Sequence, residues 1–594
     1  MNILLVAINA KYIHSNLAVY SLKAYAREYQ EHICLLEYTI NHRTDYILQE
    51  IYKKQPDVLC FSCYIWNFRY VRELAGEFHK LMPEVPIWVG GPEVSYETET
   101  FLADYPMVKG VMVGEGEATF WELCRYYVQG AVLEQICGIV FRDAQDRLVR
   151  TEPREPLSMD ELPFCYDQPE DFENRIIYYE TSRGCPFSCS YCLSSIEKGL
   201  RFRSRSLVQK ELDVFLAHKV PQVKFVDRTF NCNHEHALFI WNYLKEHDNG
   251  ITNFHFEISA DLLTEEELAL IASMRRGLIQ LEIGVQSTNE PTIKEIRRTM
   301  NLSRLEQVVR QVRHMGNVHQ HLDLIAGLPN EDFATFAESF RQVYAMRPHQ
   351  LQLGFLKVLK GSYLYEHREA YGLVYQENPP YEVMETRWLS YAEMLKIKLV
   401  EEMLEVYYNS GQFEMTIKVL ELTEDHPFDL FLKLGEFYES RGLLSMSHSR
   451  IRRCEILLHY IEQNDLPHLA LYQETLTFDL YYRERMKSRP VWASPLSEFQ
   501  ELSRKYCGKG KHVHLEGFWY DMKSILSAEF LDQYPTKKDS RAYYLFSYGQ
   551  RDPLSGQAKV ECVQEREERE AGSGDIYCRG SGNDGSESEK RPDS

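Results

Sequence analysis

The chain has 594 residues, 44% of them hydrophobic and 26% charged. That is material for about three or four soluble domains, and no apolar run is long enough to read as a membrane span. A formal net charge of −21 argues against broad binding along a phosphate backbone, so nucleic acid is not an expected partner.

The first 135 residues alternate short apolar runs with helix-like segments. Residues 2–8 read as a strand, without the basic lead and long apolar stretch of a secretory signal. Residues 17–29 have helical periodicity. Residues 57–63, 85–91 and 108–114 are continuous apolar runs, the mark of strands covered on both faces. This alternation predicts an α/β start to the chain, with a doubly wound, Rossmann-like parallel sheet over 1–135. Ligands of such sheets bind at the carboxyl ends of the strands. Here those ends carry Ser62, then Gly90-Gly91-Pro92-Glu93, then Gly114-Glu115-Gly116-Glu117. The glycines fit close approach of a ligand or simply tight turns.

Residues 136–172 read as a connector, with a short strand at 138–141, a turn at 143–146 and a stretch rich in proline and acids from 152 to 171. From 173 to 365 the alternation resumes. Strands are predicted at 176–181, 222–226, 253–259, 278–285, 320–325 and 350–356, with helices at 264–274, 290–298, 303–315 and 332–346. Six such units predict a partial (β/α)6 barrel, by analogy with the eight-unit form. Residues 366–560 read as a mainly helical C-terminal domain. Within it, 385–408 carry an apolar stripe at 392, 395, 399, 403 and 406, and 510–548 are rich in aromatic residues and strand-like. The acidic, Gly- and Ser-rich tail, 561–594, is expected to be disordered.

The most informative run is E-T-S-R-G-C-P-F-S-C-S-Y-C-L, on the loop after the first barrel strand. It places Cys185, Cys189 and Cys192 in a C-x₃-C-x₂-C spacing, with Tyr191 before the last cysteine. Three thiolates on one short loop hold three irons of a four-iron cluster and leave the fourth iron open for chemistry. Structural zinc would want four ligands, usually as two close pairs. Cys60 and Cys63 do not supply the second pair, because they lie in an apolar run that reads as a buried strand. A disulfide does not suit a chain without a secretory segment, and the expected compartment is the reducing cytoplasm.

The cysteine loop resembles that of the radical S-adenosylmethionine (SAM) superfamily, C-x₃-C-x-aromatic-C. The resemblance implies a [4Fe-4S] cluster whose open iron is chelated by SAM, and one-electron cleavage of SAM to a 5′-deoxyadenosyl radical that abstracts hydrogen. Downstream, Phe256-Glu257-Ile258-Ser259, Glu282-Ile283-Gly284-Val285-Gln286-Ser287, Arg298, and Asp323 with the Gly327-Leu328-Pro329 that follows resemble the SAM-binding strands of the oxygen-independent coproporphyrinogen oxidase branch. By that resemblance Glu257, Gln286, Arg298 and Asp323 hold SAM beside Tyr191. Carboxylates and amides suit ribose hydroxyls, and a guanidinium suits a carboxylate. Each has an alternative. Asp323 could brace the barrel, Glu257 and Arg298 could pair with each other, and Arg297 competes with Arg298. The Gly-Gly-Glu common after the second barrel strand is replaced by Phe225-Val226-Asp227-Arg228-Thr229, where Asp227 or Thr229 could substitute.

A doubly wound domain ahead of a radical SAM barrel resembles the cobalamin-binding subgroup, with an uncharacterised domain following. The resemblance implies cobalamin near Ser62, Gly90, Gly91, Glu93, Gly114, Glu115, Gly116 and Glu117. The lower-ligand motif Asp-x-His-x-x-Gly is absent, and His14 is its nearest stand-in. The implied activity is radical, cobalamin-dependent methyl transfer to an unactivated carbon of an unidentified substrate, fed by an electron donor such as flavodoxin or ferredoxin. Radical rearrangement or cyclisation on the same domains is the alternative, and a non-catalytic iron–sulfur sensor the third reading. Methylthiolation of RNA would need a second set of cluster cysteines, for which Cys34, Cys60 and Cys63 are poorly spaced.

Overall fold

Every residue of β1 (Ile3–Asn9) is buried, because the strand is covered on both faces. Leu4, Val6 and Ile8 enter one core, while Ile3 and Leu5 enter another, as the two-residue period of a strand dictates. The computed structural model describes residues 1–166, 172, 175–196, 198–495, 499–507 and 512–564. The tail expected to be disordered lies, from residue 565 on, outside the described residues, as do 167–171 of the expected connector.

Beside β1 lie β2 (Ile33–Thr39), β3 (Val58–Ser62), β4 (Ile87–Gly90) and β5 (Val108–Met112), parallel in the order β2-β1-β3-β4-β5. The crevice between β1 and β3 is the point where the strand order reverses. Cys60 and Cys63 belong to the opposite cores of this sheet, so they form no metal or disulfide pair.

Two elements depart from expectation. β2 was not expected, because Glu37 interrupts its apolar run. Its carboxylate is satisfied by Asn9 Nδ2 at 2.6 Å, by the Tyr20 hydroxyl and by Arg175. Residues 139–150 are not part of a connector. They form the hairpin β6 (Ile139–Arg142) and β7 (Leu148–Arg150), which extends the N-terminal sheet antiparallel to β5.

The second sheet comprises β8 (Ile177–Tyr179), β11 (Gln222–Phe225), β12 (Asn253–Ile258), β13 (Ile279–Gln286), β14 (His319–Ala326) and β15 (Gln350–Phe355), all parallel and in sequence order. The pair β9 (Ser182–Arg183) and β10 (Arg201–Phe202) sits at the end of β8. Alternation along the strands is strict. β13 buries Ile279, Leu281, Ile283 and Val285 and turns Gln280, Glu282, Gly284 and Gln286 to the other face. The open edge at β8 is covered from the N-terminal domain, where Ile176 N donates to Ile13 O at 2.7 Å and residue 14 bridges residue 176. Residues 1–401 form one compact unit, completed by the short pair β16 (Val374–Tyr375) and β17 (Val383–Glu385).

The second unit begins at residue 402. It contains the helices Glu414–Leu420, Pro427–Ser440, Arg450–Gln463 and Leu469–Arg483. They accompany an antiparallel sheet of β18 (Val513–Phe518), β19 (Ala542–Arg551) and β20 (Ala558–Cys562). The helix Tyr391–Leu404 is present. Of the expected stripe Leu399, Met403 and Val406 are buried, whereas Leu395 is 44% exposed and the first turns bury Met394 and Ile397 instead.

Candidate active site

The cysteine loop is a closed excursion between β9 and β10, whose pairing sets Arg183 opposite Arg201 and Ser182 opposite Phe202. Gly184 has φ +93°, and a Cβ there would stand 2.5 Å from the Gly199 carbonyl oxygen, so only glycine fits. Cys185, Cys189, Tyr191 and Cys192 line a cavity of about 220 Å³ together with Arg228, Thr229, Glu257, Ser259, Glu282, Gly284, Gln286, Arg298 and Asp323. These residues lie toward the carboxyl ends of the strands or on the loops that follow. Burial pushes the Cys185 thiol up, against a hydrogen bond from Thr229. Among the described residues no three His, Cys, Asp or Glu side chains converge as a single metal ion requires. A four-iron cluster takes one thiolate per iron, so its ligands stand around a cavity, not a point.

A local irregularity aims Gln286 into this cavity. The pairing of β13 with β14 slips between Gly284 and Gln286, and Gln286 takes a left-handed φ of +71°. Such backbone in a non-glycine residue costs about 1–3 kcal/mol and persists only where the surroundings impose it. Gly284 makes room for the turned side chain, since a Cβ there would stand 2.3 Å from Gln286 Nε2. Arg298 Nη2 donates to the Gly284 carbonyl, and its Nη1 lies 3.9 Å from Cys189 Sγ and 3.5 Å from the Tyr191 hydroxyl. Arg297 instead turns away, its guanidinium 3.6 Å from the centre of the Tyr363 ring. Of the two adjacent arginines, Arg298 faces the site.

Below the cavity the barrel interior is polar, unlike the branched apolar filling of eight-unit barrels. Lys224 Nζ lies 2.9 Å from Glu282 Oε2 and 3.5 Å from Glu257 Oε1. His255 Nε2 lies 2.9 Å from the same Glu282 oxygen, and His321 Nε2 lies 3.0 Å from Asp323 Oδ1. Burial alone would raise the Glu282 carboxyl, but His255 and Lys224 outweigh it and bring it to about 2. Glu257 and Asp323 are raised by burial, against the pull of Lys224 and His321 respectively. Glu257 therefore meets Lys224, and no pair with Arg298 forms among the described contacts. Glu282 and Lys224 were missed in the sequence. The signal for Glu282 was its even spacing from Gly284 and Gln286, which puts all three on one face of the strand.

Several expected ligands are engaged elsewhere. Asp227 does not line the cavity. Its buried carboxylate accepts from Thr181 N at 3.1 Å, Thr181 Oγ1 at 2.6 Å and Ser182 Oγ at 2.5 Å, bracing the root of the cysteine loop, while its neighbours Arg228 and Thr229 face the cavity. Glu117 accepts from Arg183 Nη2 at 2.6 Å and from Ser21 Oγ at 3.0 Å. Glu115 pairs with Arg201 and lies 3.3 Å from Arg183. Glu93 accepts from the Tyr381 hydroxyl. Ser62 Oγ lies 3.5 Å from Asn16 Nδ2 in the β1–β3 crevice. Gly90 and Gly91 end β4, with a Cβ on Gly91 meeting the Cys63 carbonyl oxygen at 2.4 Å, whereas Gly114 faces open space and Gly116 abuts Leu22. His14 Nδ1 contacts the Tyr178 hydroxyl at 2.5 Å on the barrel side, so that nitrogen is occupied.

The cavity suits SAM on a cluster. Gln286 Oε1 and Arg298 Nε are buried without a hydrogen-bond partner among the described residues. A buried polar atom of this kind costs about 1–3 kcal/mol unless a ligand or water meets it. The donor set of amide, guanidinium and carboxylates is what an amino-acid and ribose ligand takes.

Three families match the chain in succession. They are the B12 binding domain at residues 3–124, the Radical SAM superfamily at 179–343, and a protein of unknown function, DUF4080, at 369–516. The chain is 26% identical over 298 residues to the uncharacterized methyltransferase PH0819 of Pyrococcus horikoshii, covering 48% of this chain and 63% of that protein. It is 27% identical over 365 residues to the cobalamin-dependent radical SAM methyltransferase TokK of Streptomyces tokunonensis, covering 54% of this chain and 50% of TokK. The match thus spans about half to two thirds of these relatives' length. Among solved structures, the cobalamin-dependent S-adenosylmethionine radical enzyme OxsB with aqua-cobalamin bound aligns with a TM-score of 0.55 at 16% identity, over 80% of this chain and 79% of OxsB, which shows a shared fold. No helix among the described residues is long and apolar enough to cross a membrane.

Proposed function

Because this chain belongs to the radical SAM proteins that carry a B12 binding domain, we propose that it is a cobalamin-dependent radical SAM enzyme transferring a methyl group to an unactivated carbon. The observation that carries this is the convergence of Cys185, Cys189 and Cys192 with Glu257, Gln286, Arg298 and Asp323 on one cavity at the carboxyl end of the parallel barrel. When bound, a four-iron cluster with SAM supplies a hydrogen-abstracting radical, and cobalamin supplies a methyl carrier.

The residues of the chain bind and orient. The three cysteines hold the cluster. Arg298 and Gln286 meet the amino-acid part of SAM, and Glu257 and Asp323 its ribose hydroxyls, with Tyr191 alongside. Gly114, with open space where a Cβ would stand, leaves backbone open to cobalamin beyond the strand ends of the N-terminal sheet, next to Gly90 and Gly91. An electron donor such as flavodoxin or ferredoxin supplies the reducing electron.

The test is anoxic reconstitution with iron, sulfide and hydroxocobalamin, then reduction in the presence of SAM. Formation of 5′-deoxyadenosine is expected, and its absence from protein with a full cluster would sink the radical assignment. Stoichiometric cobalamin retained after gel filtration is expected, and its loss would remove the methyl-carrier part.

A further inference from the structure

The root of the cysteine loop is gripped from two sides. From the barrel, Asp227 takes Thr181 and Ser182. From the N-terminal sheet, Glu117 takes Arg183 Nη2 at 2.6 Å, and Glu115 lies 3.3 Å from Arg183 Nη1. The third side of the guanidinium is filled by Glu180, which accepts from Nε at 2.9 Å. Arg201, opposite Arg183 in the β9–β10 pair, donates to Glu115 and to the Leu157 carbonyl. Three carboxylates thus surround two guanidiniums, and all five side chains are largely buried, Glu117 to 5% exposure.

We propose that Arg183 is a positioning residue for the cysteine loop and that Glu115, on the turn after β5, and Glu117, which opens the helix Glu117–Gln129, fix where it stands. The proposal rests on reading Cys185, Cys189 and Cys192 as cluster ligands. Only Gly184 separates Arg183 from Cys185, and it is wedged against Gly199, where a Cβ would stand 2.5 Å from the carbonyl oxygen. A shift of Arg183 therefore passes to Cys185 without a free joint between them. The planar guanidinium makes the anchor directional, since its donors fix an angle as well as a distance, which an ammonium cannot do. The turn that offers Gly114 to one cofactor is the same turn that anchors the loop for the other. The N-terminal domain in this way sets the position of the cluster loop as well as binding its own ligand.

The experiment uses the full chain in two states. In the metal-free protein, hydrogen exchange followed by mass spectrometry compares wild type with Glu117→Gln and Arg183→Lys. Residues 182–192 are expected to exchange about tenfold faster in both variants, the effect of one charge-assisted hydrogen bond, while 253–258, 279–286 and 319–326 stay unchanged. In reconstituted protein, Glu117→Gln is expected to keep its iron and sulfide but to need about tenfold more SAM to change the electron paramagnetic resonance signal of the reduced cluster. Unchanged exchange at 182–192, with the SAM-dependent signal change at the wild-type concentration, overturns the proposal. If Glu117→Gln does not fold, Glu115→Gln, which leaves the Glu117–Arg183 pair in place, is read by the same two measurements. Wild-type protein that takes up no cluster would overturn the reading of the cysteines, while the exchange comparison would still decide the role of Arg183.

Discussion

Arg298 stands beside Cys189, with Nη1 3.9 Å from Sγ, while its Nη2 donates to the Gly284 carbonyl. One guanidinium therefore joins the cysteine loop to the strand that presents Gln286. Arg298→Gln is expected to keep the cluster but weaken SAM binding about 10–100-fold, the range of a lost charge-assisted hydrogen bond. Removing a positive charge beside a thiolate should also make the cluster harder to reduce. Equilibrium dialysis and a redox titration check both effects, and wild-type affinity together with an unmoved potential would refute the placement.

At Gly284 a single methyl group would reach the Gln286 side chain in the cavity. A Cβ there would fall 2.3 Å from Gln286 Nε2, so Gly284→Ala must push the Gln286 side chain out of the cavity. The displaced atom is the far end of a flexible side chain, so the stability cost should be small. The fold should survive with a melting point close to wild type, and SAM should no longer protect the protein in thermal melts. Full protection by SAM would show that Gln286 makes no contact with it.

Lys224 keeps Glu257 and Glu282 apart electrically. Lys224→Met leaves the two carboxylates facing each other and should cost about 3 kcal/mol, as when one partner of a buried ion pair is removed. The pH dependence has a definite sign. Glu282 titrates at about 2 in the folded protein against an ordinary 4.5. Its contribution is present above pH 4.5 and is lost as pH falls toward 2. The variant should lose less stability over that interval than wild type, read as melting temperature against pH. Parallel curves would refute the assignment.

The second unit should behave oppositely. Glu474 Oε2 accepts from Trp519 N at 2.8 Å and Tyr520 N at 3.3 Å, yet burial raises the carboxyl to about 7. Its stabilising contribution is complete below the ordinary 4.5 and disappears as pH rises through 7. Glu474→Gln keeps an acceptor oxygen and has no charge to bury. The wild-type unfolding free energy from urea titration, read from the protection of residues 469–483, should fall between pH 5 and pH 8 by about 2.5 kcal/mol from Glu474, and the variant's should fall less. Asp479 is raised to about 7 by burial and adds to the fall in both proteins.

Much of the architecture was legible because its determinants are local. Period-two and period-3.6 patterns located β1, β3, β4 and β5 and all six barrel strands to within a few residues. β2 escaped because Glu37 breaks its apolar run, and the acid is tolerated through Asn9, Asn16 N, Tyr20 and Arg175, the last 138 residues away. The stripe of Tyr391–Leu404 held at Leu399 and Met403 but was misplaced in the first turns, where Met394 and Ile397 are buried and Leu395 is not, because a helix with apolar residues on several sides does not announce which side finds a partner.

The cysteine spacing, the aromatic residue beside the last cysteine and the G-V-Q run determined the kind of site from sequence alone. A short loop must carry its own ligands, and strand alternation says which neighbours share a face. Tertiary structure alone decided the partners of the buried charges. It gave Glu115 and Glu117 to Arg183 and Arg201, turned Asp227 onto Thr181 and Ser182, and set Lys224 between Glu257 and Glu282. A buried carboxylate must find a donor, but any of several arginines, lysines or hydroxyls would meet that need. Only the register of β9 with β10, and of β11 with its neighbours, brings a particular one within reach.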